Sequence, residues 1–197
     1  SEKFTRVLVL RHNATDIRNS VFLMLKDIID KDNLHKDFII LESGMTIICR
    51  KTKNMILTAG LDDTGKLSGV NDLTDVWFEE PITRSKGQVK MITHEQFEDL
   101  DSRLRKGNSK LTMHLTLNPI SKGFFLFKNL LNPEIKSEDL LFDINDWDIC
   151  NSTYLDNPFL PESYIKVVEK WSGIRAQYGR KGEWTDEKTG NEYLGNF

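Results

Sequence analysis

The sequence predicts an α/β protein with a mostly parallel sheet and flanking helices, on two observations. Short apolar runs, typical of strands buried on both faces, alternate along the chain with stretches of helical spacing. Several of these runs end in polar or charged residues, as strands of open α/β sheets do at a ligand site. The chain has 197 residues with 39% hydrophobic content, which is enough for a real core.

The first strand and helix follow directly from the pattern. Thr5–Leu10 is apolar and partly β-branched without alternation, which predicts a buried strand. Apolar residues then recur at helical spacing and predict a helix over 16–31. Thr15 or Asp16 is suited to cap its first turn.

A small antiparallel hairpin region is predicted next. The apolar runs 38–41, 46–50 and 55–59 have the length of short strands. Ser43-Gly44 and Lys53-Asn54 supply turn residues between them.

The rest of the chain returns to alternating strands and helices. The further predicted elements are a strand at 74–79, a helix at 93–106 capped by Thr93, a strand at 111–117, a helix at 123–131, a strand at 147–153 and a helix at 161–171.

Composition excludes several function classes. A net charge of −3 provides no basic excess for nucleic-acid binding by the whole surface, although a local patch remains compatible with it. Cys49 and Cys150 are far apart and predict no disulfide framework. No apolar run reaches the roughly 18 residues of a membrane span.

The most informative segment reads Leu-Thr-Asp-Val-Trp-Phe-Glu-Glu-Pro, residues 73–81. It places Glu79 and Glu80 at the carboxyl end of a buried strand, where open α/β sheets bind ligands. Since successive strand residues face opposite ways, the two acids cannot do the same job. In a hydrolase site, Glu79 would face a metal and Glu80 a water. The same pattern also arises from solvated charges at a strand end.

Polar groups end two other strands. Thr116 and Asn118 follow the apolar run at 111–117, and they would lie beside the acids if the two strands are neighbours. A simple strand followed by an Asn-Pro turn also fits this pattern. Arg11 ends the first strand, where it could hold a phosphate, although arginine is most often a surface residue. The histidines form no metal-ligand spacing.

One expected motif is missing. The sequence contains no G-x-x-x-x-G-K-[ST], the loop whose amides and lysine grip the β- and γ-phosphates of a nucleotide.

The ordered segments together resemble the ATPase domain of phage terminase large subunits of the PBSX type. The residues that carry the resemblance are Val7-Leu8-Val9-Leu10-Arg11, Arg18-Asn19-Ser20-Val21-Phe22, Gly60-Leu61-Asp62-Asp63, Val76-Trp77-Phe78-Glu79-Glu80, Leu115-Thr116-Leu117-Asn118-Pro119, Ser152-Thr153-Tyr154-Leu155-Asp156-Asn157-Pro158-Phe159-Leu160 and Gly182-Glu183-Trp184. The implied fold is a P-loop NTPase-type sheet of the RecA-like (ASCE) class, incomplete at the N-terminal P-loop strand.

The resemblance also implies roles. Glu79 would be the Walker B acid associated with Mg²⁺ through water, and Glu80 the catalytic base. Asn118 and Thr116 would couple hydrolysis of ATP to movement, with Arg11 near the nucleotide. The implied partners are double-stranded DNA, the portal protein, a small terminase subunit and further copies of the same subunit in a ring, with no membrane. The implied location is the host bacterial cytoplasm and, transiently, the prohead portal.

We expect the chain to be a piece of such a subunit. The P-loop would lie upstream and the nuclease domain downstream, with 1–145 a partial ATPase core and 146–197 the end of the ATPase domain leading to a linker. The chain alone is then expected to be inactive as an ATPase. The alternative is a non-catalytic assembly or DNA-contact module. Ser68 stands where a trans-acting basic residue often occurs in the family, and Lys66 is close to it in sequence.

Overall fold

The computed structural model describes residues 4–63, 67, 69–85, 87–104, 111–136 and 142–186. The chain divides into two compact units. The first unit comprises Ser1–Pro81 and His94–Thr116, and the second comprises Ile82–Thr93 and Leu117–Phe197. Ser68, Lys66 and the predicted end of the second helix at 105–106 lie outside the described residues. The predicted domain division after residue 145 stays a prediction.

A mixed sheet forms the centre of the first unit. Its strands are β1 (Arg6–Arg11), β2 (Phe38–Leu41), β3 (Thr46–Cys49), β4 (Met55–Gly60), β5 (Asp75–Glu79) and β8 (Thr112–Thr116). Their order across the sheet is β2-β3-β4-β1-β5-β8. Strands β4, β1, β5 and β8 run parallel, whereas β2-β3 and β3-β4 pair antiparallel. The predicted mostly parallel α/β architecture and the hairpin region at 38–60 are therefore confirmed.

The helix predicted at 16–31 is present and begins two residues earlier. It consists of α1 (Ala14–Ile17), a π-helical segment (Arg18–Phe22) and α2 (Leu23–Lys31). The predicted cap by Thr15 or Asp16 is wrong, because both residues follow Asn13, the N-cap. The first helical amide, of Ala14, instead donates to Asp62 Oδ1 at 2.8 Å from a loop that follows β4.

Apolar residues of this helix cover one face of the sheet. Val9 of β1 and Ile47 of β3 join a buried cluster with Ile17, Phe22 and Ile29 of the helical segments. The neighbours of Val9 in β1, Leu8 and Leu10, point to the opposite face and are also fully buried. Burial on both faces explains why β1 lacks polar alternation.

The second helix of the first unit is shorter than predicted. It spans α3 (His94–Asp101), with Phe97 and Leu100 buried. Ser102 and Arg103 follow in a turn, where the Arg103 guanidinium donates to Leu67 O at 2.5 Å and pairs with Asp99. Arg103 therefore lies in a turn, bonded to the Leu67 carbonyl, and not in the further helical turn that the periodicity predicted.

A separate two-stranded antiparallel sheet belongs to the second unit. It consists of β6 (Ile82–Ser85) and β7 (Gln88–Met91), which the sequence reasoning did not predict. The α- and π-helical segments described in this unit are Phe127–Leu131, α4 (Glu162–Glu169), α5 (Gly173–Ala176) and Gln177–Lys181, the first and last π-helical. The predicted helices at 123–131 and 161–171 are thus present, each within narrower bounds.

Aromatic contacts pack the second unit. Phe124 and Phe127 contact Trp184, at ring-centroid distances of 6.4 and 5.2 Å. Phe142 contacts Trp147 edge-on at 5.6 Å.

The predicted strand at 147–153 is wrong. This segment has no regular secondary structure, it pairs with no strand of the described residues, and Ile149 and Cys150 are exposed. Its apolar residues therefore do not mark a sheet position. The segment ends at Thr153, which caps the short 3₁₀ helix Tyr154–Asp156.

Within the described residues, no helix is both long and apolar enough to cross a bilayer.

Candidate functional site

Four predicted site residues lie at the carboxyl ends of the parallel strands: Arg11, Glu79, Glu80 and Thr116. Arg11 lies opposite Gly60 at the ends of β1 and β4, and Glu79 lies opposite Thr116 at the ends of β5 and β8. The chain that leaves β1 forms β2, β3 and β4 on one side of that strand, and the chain that leaves β4 then forms β5 and β8 on the other side of β1. The topological switch point, where open α/β sheets bind ligands, therefore lies between β1 and β5.

An ion pair spans this switch point. The Arg11 guanidinium at the end of β1 donates from Nη2 to Glu80 Oε2, just beyond β5. Its other terminal nitrogen, Nη1, donates to Ser20 Oγ at 3.0 Å, and Ser20 Oγ donates to Asp16 O at 2.6 Å. The Arg11 and Glu80 side chains are 19% and 33% exposed, so solvent screens the pair only partly. The π-helical segment thus supplies Ser20 as the second anchor of Arg11.

The backbone around Glu80 is unusual for a residue with a side chain. Glu80 has a φ of 52°, in the left-handed region that disfavours residues other than glycine. Two contacts hold it there. Its amide donates to Thr116 O at 2.8 Å, and His12 Nε2 hydrogen-bonds Pro81 O at 3.1 Å. Such conformations persist where the surroundings over-determine them, and they cluster at functional sites.

Glu79 has different partners. The Thr116 hydroxyl donates to Glu79 Oε2, and Trp77 Nε1 donates to Thr116 Oγ1 at 2.8 Å. Thr116 thus accepts one hydrogen bond and donates another, which fixes the direction of its single proton. The adjacent acids are held by separate groups on separate strands, as expected from their opposite facing.

Asn118 and Arg18 have other contacts among the described residues. Asn118 belongs to the second unit, where its main-chain oxygen accepts from the Ile120 amide at 2.8 Å. Arg18, one of the residues that carry the family resemblance, is exposed and donates to Glu42 O at 3.3 Å.

Gly60-Leu61-Asp62-Asp63, one of the segments that carry the family resemblance, has a structural role at the start of α1. A Cβ built on Gly60 would lie 2.1 Å from Ala14 N, 2.1 Å from Asp62 Oδ1 and 2.4 Å from Asn13 C. Only glycine lets the end of β4 approach the start of α1 this closely. Asp62 then accepts from the Ala14 amide and completes the turn that follows Arg11. A glycine directly after a predicted strand was the available signal.

The acids fit a metal that keeps most of its water. Among the described residues, no group of three or more His, Cys, Asp and Glu could hold a metal ion by itself. Mg²⁺ is commonly held by one or two carboxylates together with waters and substrate phosphates. The Glu79 carboxylate and the Thr116 hydroxyl are hard oxygen donors of the kind this ion prefers.

The fold and the site define a class: an α/β protein, consistent with an NTPase-like fold, with acidic and basic side chains gathered at the carboxyl edge of a mostly parallel sheet. The family model for the phage terminase large subunit matches residues 1–181, and the chain belongs to that family. It is similar to the PBSX phage terminase large subunit of Bacillus subtilis (strain 168), with 28% identity over 172 residues. This match covers 82% of the chain and 38% of that relative. The predicted membership of the phage terminase large subunit family is therefore confirmed.

Proposed function

We propose that this chain is part of an ATP-driven motor that packages viral double-stranded DNA into a prohead. Membership of the terminase large subunit family supports this proposal, as does the name of the relative. The match spans 38% of that relative, and the activity of the whole subunit is part of the proposal.

The observation that carries the proposal is the separate anchoring of two adjacent acids at the switch point. Arg11 holds Glu80 across the β1–β5 boundary, while Thr116 holds Glu79 across the β5–β8 boundary. Hydrolysis of a nucleoside triphosphate needs one acid near the phosphate-bound metal and another that orients the attacking water. Separate partners allow the two neighbouring carboxylates to keep separate positions.

Glu80 is the proposed catalytic base. A base acts on a water within about 2.6–3.2 Å, so the direction of its carboxylate matters as much as its charge. Arg11 and the left-handed backbone fix that direction. Arg11 is also the proposed nucleotide contact, because a guanidinium with several N–H groups can hold a carboxylate and a phosphate oxygen together.

Glu79 is proposed to hold Mg²⁺ through water, and the ion would neutralise charge on the phosphates of ATP. Thr116 bonds Glu79 directly and ends the strand that leads to Asn118. These two residues are therefore the proposed coupling elements, linking the state of the acid to the chain beyond β8. The proposed partners are double-stranded DNA, a portal protein, a small terminase subunit and further copies in a ring, acting in the host bacterial cytoplasm at the prohead portal.

Reconstitution tests the catalytic part of the proposal. Since the sequence contains no G-x-x-x-x-G-K-[ST], we expect no ATP hydrolysis by the purified chain alone. We expect hydrolysis when a polypeptide carrying the P-loop of a terminase large subunit is supplied. Glu80→Gln should then lower kcat about 10²- to 10⁴-fold, the range for loss of a positioned base. Glu134→Gln, an exposed acid of the second unit, is the matched control and should leave kcat unchanged.

ATPase activity of the chain alone that disappears with Glu80→Gln would contradict the expected inactivity of the isolated chain. Equal activity of Glu80→Gln and Glu134→Gln in the reconstituted pair would remove Glu80 from the base role.

A second candidate function is a non-catalytic assembly or DNA-contact module. The absence of a phosphate-gripping motif from the sequence favours it. Titration of the reconstituted pair with ATP separates the two functions, because the module binds no nucleotide even with the partner present.

A further inference from the structure

The indole of Trp77 takes part in the hydrogen bonds that hold Glu79. Trp77 and Glu79 are two positions apart on β5, so both side chains point to the same face of the sheet. Across the β5–β8 boundary, Trp77 lies opposite His114 and Glu79 lies opposite Thr116. Thr116 is therefore a diagonal neighbour of Trp77, and diagonal neighbours lie within reach of aromatic side chains. The indole Nε1 makes this reach and donates to Thr116 Oγ1 at 2.8 Å.

The donors and acceptors in this contact allow only one direction. An indole N–H can donate and cannot accept, so the Thr116 oxygen must accept from Trp77. The single proton of the hydroxyl is then directed to Glu79 Oε2, which accepts it. Loss of the indole N–H would remove the contact that sets this direction.

The exposure of the three side chains makes this direction matter. Thr116 is exposed and Glu79 is half-buried, so water competes for both groups. A hydroxyl rotates to suit its partners unless a fixed neighbour restricts it. Trp77 is half-buried, and its ring packs against the buried cluster that contains Ile17 and Phe22. The indole is thus the member of the three that packing holds, and it restricts the hydroxyl that bonds the acid.

We propose that Trp77 is a positioning residue of the proposed metal site: through the Thr116 hydroxyl, it holds the Glu79 carboxylate in the orientation that binds hydrated Mg²⁺. This inference rests on the proposed function, because it assigns a further residue to the same site. Thr116 engages Oε2 of Glu79, so Oε1 and the remaining lone pairs are the groups that would meet the waters of the ion. Residues that orient a metal-binding group in this way typically change metal affinity by about 10- to 100-fold.

The packing of Trp77 also connects both acids to one helix. The cluster against which Trp77 packs draws on the helical segments between residues 14 and 31. The same segments supply Ser20, which anchors Arg11, and Arg11 pairs with Glu80. The metal-binding acid and the proposed base are therefore both positioned from this helix.

The Mg²⁺ dependence of nucleotide binding tests the inference without turnover. Anisotropy of a fluorescent, non-hydrolysable ATP analogue on the reconstituted pair gives the Mg²⁺ concentration at which half of the Mg²⁺-dependent binding is reached. Trp77→Phe keeps an aromatic ring and removes the N–H, and it should raise this concentration about 10-fold while leaving binding in EDTA unchanged. Trp171→Phe makes the same change in the second unit and should leave both quantities unchanged.

A double-mutant cycle shows whether Trp77 acts through Thr116. Thr116→Val removes the hydroxyl at nearly constant shape and should raise the half-saturating Mg²⁺ concentration about 10- to 100-fold. In that background, Trp77→Phe should have no further effect. Thr116→Ser keeps the hydroxyl and should keep the value of the unmodified chain.

The indole proton of Trp77 gives a readout that needs neither nucleotide nor partner. Its NMR resonance in the unmodified chain is assigned from its loss in Trp77→Phe. Exchange of this proton with solvent should be slow in the unmodified chain and in Thr116→Ser, and faster in Thr116→Val, because only the first two keep the acceptor.

Three results would each overturn the inference while leaving the proposed function to the Glu80→Gln test. They are equal half-saturating Mg²⁺ concentrations for Trp77→Phe and Trp171→Phe, additive effects of Trp77→Phe and Thr116→Val, and equal indole exchange in Thr116→Ser and Thr116→Val. Equal weakening of nucleotide binding by Trp77→Phe with Mg²⁺ and in EDTA would show a role in folding only and would also overturn it. No nucleotide binding by the reconstituted pair would reject the catalytic function and the metal site together.

Discussion

Gly60→Ala should destabilise the first unit more than any ordinary glycine-to-alanine change. The new Cβ would meet Ala14 N and Asp62 Oδ1 at 2.1 Å and Asn13 C at 2.4 Å. Two of these atoms belong to the backbone, so the start of α1 has to move. That movement loses the Asp62–Ala14 hydrogen bond, at about 1 kcal/mol for a helix cap, and adds overpacking at about 1–3 kcal/mol.

The expected loss is therefore about 2–4 kcal/mol in the free energy of unfolding of the first unit. Gly44→Ala is the matched control, because its Cβ would meet only Thr46 Oγ1, at 3.5 Å. That distance is an ordinary van der Waals contact, so we expect a change within about 0.5 kcal/mol.

The assay must report on the first unit alone. Trp77 is the one tryptophan in its sequence, while Trp147, Trp171 and Trp184 belong to the second unit. Urea titration of the chain labelled with 5-fluorotryptophan, followed by ¹⁹F NMR, gives the Trp77 resonance its own midpoint. Equal midpoints for Gly60→Ala and Gly44→Ala would refute the reasoning, since the close approach at the β4 end would then have no energetic consequence.

Three further predictions concern charge and backbone. Arg11→Gln should lower the free energy of unfolding of the first unit by about 1–2 kcal/mol, because it leaves Glu80 without its charged partner. Arg18→Gln, the control, should change it by less than about 0.5 kcal/mol. The same ¹⁹F titration measures both variants, and equal effects would contradict the bridging role of Arg11. Glu80→Gly should be more stable than Glu80→Ala by about 1–2 kcal/mol, since both remove the carboxylate and only glycine accepts the φ of 52° without strain. Urea midpoints in the reverse order would show that the backbone at this position is not strained. Hydrogen bonds from the Thr153 backbone and side chain lower the pKa of Asp156 below its ordinary 3.8. The cap of the 154–156 turn is therefore complete above that pH and is lost as the pH falls through the lowered pKa. A ¹³C titration of the carboxyl group measures this pKa with Asp156→Asn as the control, and a midpoint at or above 3.8 would contradict the prediction.

The sequence predicted those strands whose burial is visible in the pattern of apolar residues. β1 was recognisable because it is buried on both faces and therefore has only apolar residues between Arg6 and Arg11. The acid strand was recognisable because a buried run ended abruptly in Glu79 and Glu80. The pairing of Arg11 with Glu80 was not predictable, because it depends on β5 lying beside β1 rather than beside its sequence neighbours.

Other predictions failed where the local residue pattern did not reflect the structure. The segment 147–153 has apolar residues at plausible strand positions, but a strand needs a hydrogen-bonding neighbour, and the sequence does not show which segments meet. The β6–β7 hairpin was missed because β6 has one apolar residue, Ile82, followed by three polar ones, and so lacks the apolar run that marks β2 and β3. The start of α1 was misplaced because its first amide is satisfied by a side chain 48 positions away.

The switch-point edge is also where the chain passes between the two units. The passages fall after Pro81, after Thr93 and after Thr116, so two of the three come directly behind strands that hold a candidate site residue. Pro81 alone separates Glu80 from the first residue of the second unit, and Leu117 follows Thr116 directly. An insertion at either place would therefore alter the backbone immediately next to a candidate site residue, whereas an insertion after Thr93 would not.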